Sequence, residues 1–179
     1  MMQKKQKKEK ELNMELIRVA GIINDSIVDG PGIRLTIFTQ GCYHHCQGCH
    51  NPHTHDIKGG FLIEIENIIK MIDDNPLLSG ITFSGGEPIL QWEKCAIIAK
   101  AAKERGLNVV LYTGYLYEQI EKLPNIEKLM NYVDWIIDGP FLQEKKSLLL
   151  KYRGSSNQRI IDVAETLRKK EIVQVEIDD

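Results

Sequence analysis

Hydrophobic and polar positions along the chain change rhythm several times, and the changes mark out its elements. Residues 16–23 (LIRVAGII) and 34–39 (RLTIFT) are short and rich in β-branched and apolar side chains, so they read as strands. Asp29-Gly30-Pro31-Gly32 between them is a turn cluster. Ile63, Ile65, Ile68, Ile69 and Ile72 recur at helical spacing, which predicts a helix over 63–72 that Pro76 stops. Residues 80–84 (GITFS) form a short buried strand. A helix over 88–105 follows: Pro88 suits its first turn, and Gly106 suits the position past its end. Leu90, Ile97, Ile98, Ala101 and Ala102 supply its apolar face. Residues 107–112 (LNVVLY) and 133–137 (VDWII) are further strands, with short helices predicted over 115–122 and 125–131. The segment 141–152 has no clear period. Residues 153–158 (RGSSNQ) read as a polar loop and 159–163 as a strand or the start of a helix. Residues 164–179 hold a short helix and room for a last strand.

Strand, loop and helix thus alternate, which argues a parallel sheet with crossover helices. Polar clusters sit just past four strands: the cysteine loop after 34–39, Gly85-Gly86-Glu87 after 80–84, Thr113-Gly114 after 107–112, and Asp138-Gly139-Pro140 after 133–137. Carboxyl ends of parallel strands share one face, where α/β proteins bind ligands. The fold expected is α/β, an incomplete parallel (β/α) barrel. The chain holds about five or six strand–helix units, against the eight of a closed barrel of ~250 residues. Residues 1–12 (MMQKKQKKEKEL) have nothing to bury and are expected to be a disordered Lys-rich tail, with 13–179 as a single domain.

Composition sets limits. Lys and Arg number 23 against 25 Asp and Glu, and the net charge of −2 leaves no electrostatic footprint for nucleic acid or an anionic membrane. No run approaches the ~18 apolar residues of a membrane span. The N-terminus lacks the apolar region of a signal peptide. The expectation is a cytoplasmic protein whose thiols stay reduced and available as ligands.

The cysteines change the picture most. Three of the four are Cys42, Cys46 and Cys49, spaced C-x3-C-x2-C, and the five histidines crowd the same stretch: His44, His45, His50, His53 and His55. Three thiols this close make poor disulfide partners, because the number is odd and the loops would be very short. They point to a shared metal or cluster. Spacing alone leaves two readings open: a Cys3His zinc site with His50 or a neighbour as fourth ligand, or an iron–sulfur cluster held by three thiolates with one iron open. The neighbouring strand end weighs between them. A structural zinc has no use for Gly85-Gly86-Glu87, whereas an open iron needs a further ligand and groups to position it.

Cys42-x3-Cys46-x2-Cys49 together with Gly85-Gly86-Glu87-Pro88 is similar to the paired signature of the radical S-adenosylmethionine superfamily. Val28-Asp29-Gly30-Pro31-Gly32-Ile33-Arg34 and Gly48-Cys49-His50-Asn51-Pro52 resemble the glycyl-radical-enzyme activases within it. Arg153-Gly154-Ser155-Ser156-Asn157-Gln158, in so short a chain, resembles the branch that acts on anaerobic ribonucleoside-triphosphate reductase. The resemblance covers about residues 14–165. It implies a 4Fe-4S cluster on Cys42, Cys46 and Cys49, with the fourth iron chelated by S-adenosylmethionine. Reductive cleavage of that cofactor would give a 5′-deoxyadenosyl radical, which takes a hydrogen from a glycine of the reductase large subunit. A flavodoxin or ferredoxin would supply the electron.

The same resemblance implies that backbone around Gly48, Cys49 and His50 lines the adenine and that Gly85 and Gly86 admit the methionine end. Glu87 would contact the amino group or order the loop, and Thr113 and Asp138 would reach the ribose or methionine end. No side chain need act as a general acid or base. Gly48 departs from the pattern, since an aromatic that packs on adenine often stands there; Tyr43 and Tyr112 are the candidate substitutes. Alternative functions are activation of another glycyl-radical enzyme such as pyruvate formate-lyase, or a zinc-binding interaction module. Cys95 is expected to be a small core residue, as are Trp92 and Trp135. His44, His45, His53 and His55 read as loop residues rather than ligands, with hydrogen bonding around the cluster as another use.

Overall fold

Short β-branched runs bounded by glycine and proline become the strands of one sheet. The computed structural model describes residues 15–177, so the Lys-rich segment 1–12 lies outside the described residues. The strands are β1 (Leu16–Ser26), β2 (Arg34–Thr39), β3 (Phe61–Glu64), β4 (Gly80–Gly85), β5 (Asn108–Tyr112), β6 (Trp135–Asp138) and β7 (Arg159–Asp162). Their order in the sheet is β3-β1-β2-β4-β5-β6-β7. The helices are α1 (Ile65–Asp73), α2 (Trp92–Glu104), α3 (Tyr117–Ile120), α4 (Glu127–Met130) and α5 (Val163–Lys169). Among the described residues no helix is long and apolar enough to cross a membrane.

The expected α/β class is borne out; the sheet is mixed and open, so only part of it is parallel. Only β2, β4, β5 and β6 run parallel. β1 is antiparallel to both β2 and β3, and β7 is antiparallel to β6. The cause is in the connections. Residues 27–33 are too few for a crossover, which takes a dozen or more residues, so β1 and β2 form a hairpin. Residues 139–158 are long enough, yet they stay at the carboxyl end of β6, and Arg159 pairs with Asp138 in register.

Three boundaries move. Residues 61–64 are an edge strand on β1, and the helix predicted over 63–72 starts only at Ile65. The helix over 88–105 divides into a 3-10 turn, Pro88–Gln91, and α2. That break turns the buried face onto Cys95, Ala96, Ile98, Ala99, Ala101 and Ala102, and leaves Leu90 and Ile97 40% and 38% exposed. After α5, the tail pairs with the outer edge of β7 through an Asp162 N–H to Val173 O bond and a Val175 N–H to Ile160 O bond.

Period-two alternation gives the sheet two unlike faces. Leu35, Ile37, Ile81, Phe83, Val109, Leu111 and Ile136 point into the main core, beneath α1, α2 and α4. Cys95 is fully buried in that core. The alternate residues make only a small second cluster, Val110, Ile137 and Ile160 with Tyr112, Trp135 and Tyr152 against it. Trp92 packs partly buried against the main cluster.

On that second face Arg34 is wholly buried, and among the described residues no carboxylate is bound to it. Its guanidinium donates to Thr82 Oγ1 at 2.6 Å, Pro31 O at 2.9 Å, Ile81 O at 2.5 Å and Asn108 Oδ1 at 3.0 Å. Burial draws its pKa down to about 10, so it stays charged at neutral pH. It clamps the β1–β2 loop onto the sheet beside the functional site.

Candidate cluster and cofactor site

The cysteine loop leaves β2 and is laced at its base. Gly41 N–H donates to Thr54 O at 2.8 Å and Cys42 N–H to His55 O at 3.2 Å. The buried Gln40 side chain donates to His53 O and Asp56 O, closing the far end. Inside the loop, Cys49 N–H donates to Cys46 O at 3.2 Å. This tight turn holds Gly48 at φ 71°, a conformation costly for other residues. An aromatic at Gly48 would be strained by the backbone and would meet the Gln143 side chain, 2.7 Å from where a Cβ would lie.

All three loop cysteines are free thiols and face one cavity of about 460 Å³, shared with Gly85, Gly86, Thr113 and Gly139. The four strand-end clusters therefore meet. Gly85 and Gly86 are close-packed as well as cavity-lining. A Cβ on Gly85 would lie 2.7 Å from the Phe38 and Thr39 backbone, and one on Gly86 would lie 2.4 Å from Gly41 O. Gly86 N–H donates to Thr39 O and Glu87 N–H to Gly41 O, each at 2.8 Å, so the β4 exit is stitched to the cysteine loop.

Glu87 is the hub of this arrangement and is 1% exposed. Its Oε1 accepts from Ile89 N–H at 3.0 Å and from the Thr113 hydroxyl at 2.9 Å. Its Oε2 accepts from Gly114 N–H at 2.9 Å and lies 2.7 Å from His44 Nε2. One carboxylate thus ties the cysteine loop, the β4 exit and the β5 exit together. The His44 ring also meets Tyr115 edge-on at 4.5 Å.

Cys42, Cys46, Cys49, His50, Gly85, Gly86 and Thr113 line the cavity; Gly48, Glu87 and Asp138 are not among its lining residues. Asp138 is fully buried and spoken for. It accepts from Tyr117 N–H at 2.8 Å and from Arg159 Nε at 2.9 Å, with a second close contact to Arg159 Nη2. Of the two candidate aromatics, Tyr112 lines the cavity and Tyr43 is 61% exposed outside it. Sequence reasoning missed His44 as a structural partner, and Phe38, Phe141 and Tyr152 as cavity walls. Phe141 follows a strand-end Gly-Pro, which was an available signal; its ring lies 4.8 Å from that of His50. Tyr152 sits in the aperiodic segment and carried none.

Among the described residues no three Cys, His, Asp or Glu side chains already converge on one metal-ion position. Burial, together with the charges of Glu87, Cys46 and Cys49, raises the Cys42 pKa. A cationic centre bound beside Cys42 would offset that rise and favour its thiolate. The Cys95 thiol, wholly buried, is pushed far above the ordinary range and is inert. Tyr112 is likewise raised by burial and stays neutral.

Comparison with known proteins agrees with this geometry. The sequence model of the family described as "4Fe-4S single cluster domain" matches residues 28–161. The "anaerobic ribonucleoside-triphosphate reductase-activating protein" of Vibrio cholerae is 32% identical over 75% of this chain and 90% of its own length. That of Salmonella typhi is 35% identical over 74% and 90%. A "pyruvate formate-lyase-activating enzyme" of Clostridium pasteurianum is 36% identical over 69% of this chain and 52% of its own length. A solved structure, QueE from Escherichia coli, aligns at a TM-score of 0.43 and 14% identity over 58% of this chain and 56% of its own, a likeness too loose to carry a fold assignment. The resemblance drawn from the two motifs is borne out: the chain belongs to the single-cluster 4Fe-4S family, among the anaerobic ribonucleoside-triphosphate reductase-activating proteins.

Proposed function

We propose that this protein activates anaerobic ribonucleoside-triphosphate reductase by installing a glycyl radical in its large subunit. The observation that carries the proposal is the meeting of Cys42, Cys46, Cys49, Gly85, Gly86 and Thr113 on one cavity. Cys42, Cys46 and Cys49 would hold a 4Fe-4S cluster, leaving one iron for the amino and carboxylate groups of S-adenosylmethionine. When bound, the pair supplies reductive cleavage of the cofactor and a radical able to take hydrogen from a glycine.

The chain's own residues provide geometry. Gly85 and Gly86 present backbone to the cavity, close to the cysteine loop. Glu87 orders the three loops around the site and leaves contact with the cofactor to backbone. Phe38, Tyr112 and Phe141 give apolar walls that exclude water, and the backbone at Cys49 and His50, which also line the cavity, would line the adenine. Asp138 acts at one remove, holding the β6 exit so that Gly139 faces the cavity. Residues 13–179 would work as a single domain, in a cytoplasmic, reducing setting, with a flavodoxin or ferredoxin as electron donor.

The similarity to a pyruvate formate-lyase-activating enzyme supports a second reading, in which another glycyl-radical enzyme is the partner. The aligned region covers 52% of that relative, and 90% of the Vibrio cholerae and Salmonella typhi reductase-activating proteins. The chemistry is tested by anaerobic reconstitution with iron and sulfide, followed by reduction with S-adenosylmethionine present. Release of 5′-deoxyadenosine and methionine is expected. A colourless protein carrying stoichiometric zinc and inert toward the cofactor would overturn the proposal.

A further inference from the structure

His55 carries a buried ring nitrogen that has no partner among the described residues, and it lines the cavity onto which the three thiols face. An imidazole nitrogen buried unpaired loses its hydrogen bond to water with nothing in return, a loss that a partner within the cavity makes good. The ring's placement is fixed from two sides. His55 O accepts from Cys42 N–H at 3.2 Å, which laces its backbone to the first thiol of the loop. Its ring meets the His45 ring edge-on at 5.2 Å and 83°, and His45 lies between Cys42 and Cys46. His44 Nε2, by contrast, is already engaged by Glu87. The loop also turns a backbone donor on a thiol, since Asn51 N–H points to Cys49 Sγ at 3.4 Å.

We propose that His55, with its proton on Nε2, donates a hydrogen bond to a sulfur of the cluster held by Cys42, Cys46 and Cys49, and so sets how readily that cluster is reduced. The inference rests on the proposed cluster and deepens it. A donor to sulfur favours the reduced, more negative state, and hydrogen bonds to the sulfurs are among the determinants of cluster potential. His55 is therefore a positioning residue for charge and does not ligate iron.

The test compares reconstituted wild type, His55→Phe and His55→Gln by mediated redox titration, without S-adenosylmethionine, reading the reduced cluster by electron spin resonance. Phenylalanine keeps the ring and removes the donor; glutamine restores an N–H of similar reach. Expected for His55→Phe is an unchanged iron content and about a tenfold smaller ratio of reduced to oxidised cluster at a given potential, equivalent to a 59 mV negative shift for one electron. His55→Gln should recover most of it. A potential equal to wild type in His55→Phe overturns the proposal. So does an unchanged potential with weakened cofactor binding, which would place the donor on the cofactor. Absence of any cluster in wild type overturns this inference and the proposed function together. If His55→Phe takes up no cluster, wild type grown with 15N-histidine answers instead. A weak nitrogen coupling to the reduced cluster, lost in His55→Gln, supports the hydrogen bond, and its absence in wild type refutes it.

Discussion

Replacing Glu87 by glutamine separates a loop-ordering carboxylate from a cofactor-binding one. The two oxygens receive the backbone N–H groups of Ile89 and Gly114, one on each, at 3.0 and 2.9 Å. Thr113 Oγ1 and His44 Nε2 complete the set at 2.9 and 2.7 Å. Glutamine matches the shape, but one of its ends is an NH2. In either orientation that end faces a backbone N–H, leaving one interior donor without an acceptor at about 1–3 kcal/mol. Loss of the negative charge also weakens the bonds that remain, since charge-assisted hydrogen bonds are roughly twice as strong as neutral ones. The expected total is about 2–4 kcal/mol, which lowers the urea midpoint by about 1 M for a slope of about 2–3 kcal/mol/M. The assay is urea unfolding of the reduced, cluster-free protein by circular dichroism, beside the affinity of the reconstituted protein for S-adenosylmethionine. A Glu87→Gln variant that unfolds with wild type but binds the cofactor poorly would refute the loop-ordering role.

Cys42→Ala, Cys46→Ala and Cys49→Ala should each lose the cluster's visible absorption and cofactor cleavage; Cys95→Ala, deleting one wholly buried sulfur, should keep both and lose about 1 kcal/mol of stability in the same urea assay. Arg159→Leu should cost about 3–5 kcal/mol, because it strands the fully buried Asp138 carboxylate; adding Asp138→Asn should recover part of that loss. Glu118 is held down to about 2, from an ordinary 4.5, first by its hydrogen bonds with Arg159. A depressed carboxylate stabilises the fold above its unfolded pKa and loses that contribution as pH falls through the folded one, so stability should drop from about pH 5 toward pH 2, less steeply in Glu118→Gln.

What could be read beforehand was local. The strand-end clusters stood out because glycine, proline and polar residues interrupt β-branched runs, and parallel topology then sends their carboxyl ends to one face. The antiparallel β1–β2 hairpin was legible in principle, because residues 27–33 cannot make a crossover. The β3–α1 boundary was not, since Ile63 and Ile65 satisfy an edge strand and a helical period alike. Pairings across the chain were hidden altogether. His44 and Glu87 stand 43 positions apart, and Asp138 and Arg159 stand 21 apart. In each case a residue that looked like a ligand or a loop polar group proves to hold loops together, which only the folded arrangement reveals. Gly48 was conspicuous for lacking an aromatic, and its positive φ gives the physical reason.

Three thiols and the neighbouring strand ends share one cavity, proposed to hand a radical to another protein. Electron spin resonance on the reduced, reconstituted protein mixed with S-adenosylmethionine and its own organism's anaerobic ribonucleotide reductase tests it most directly. The expected result is a glycyl radical on the reductase that requires Cys42, Cys46 and Cys49 and is indifferent to Cys95→Ala. No radical on the reductase, with one appearing instead on pyruvate formate-lyase under the same conditions, would contradict it.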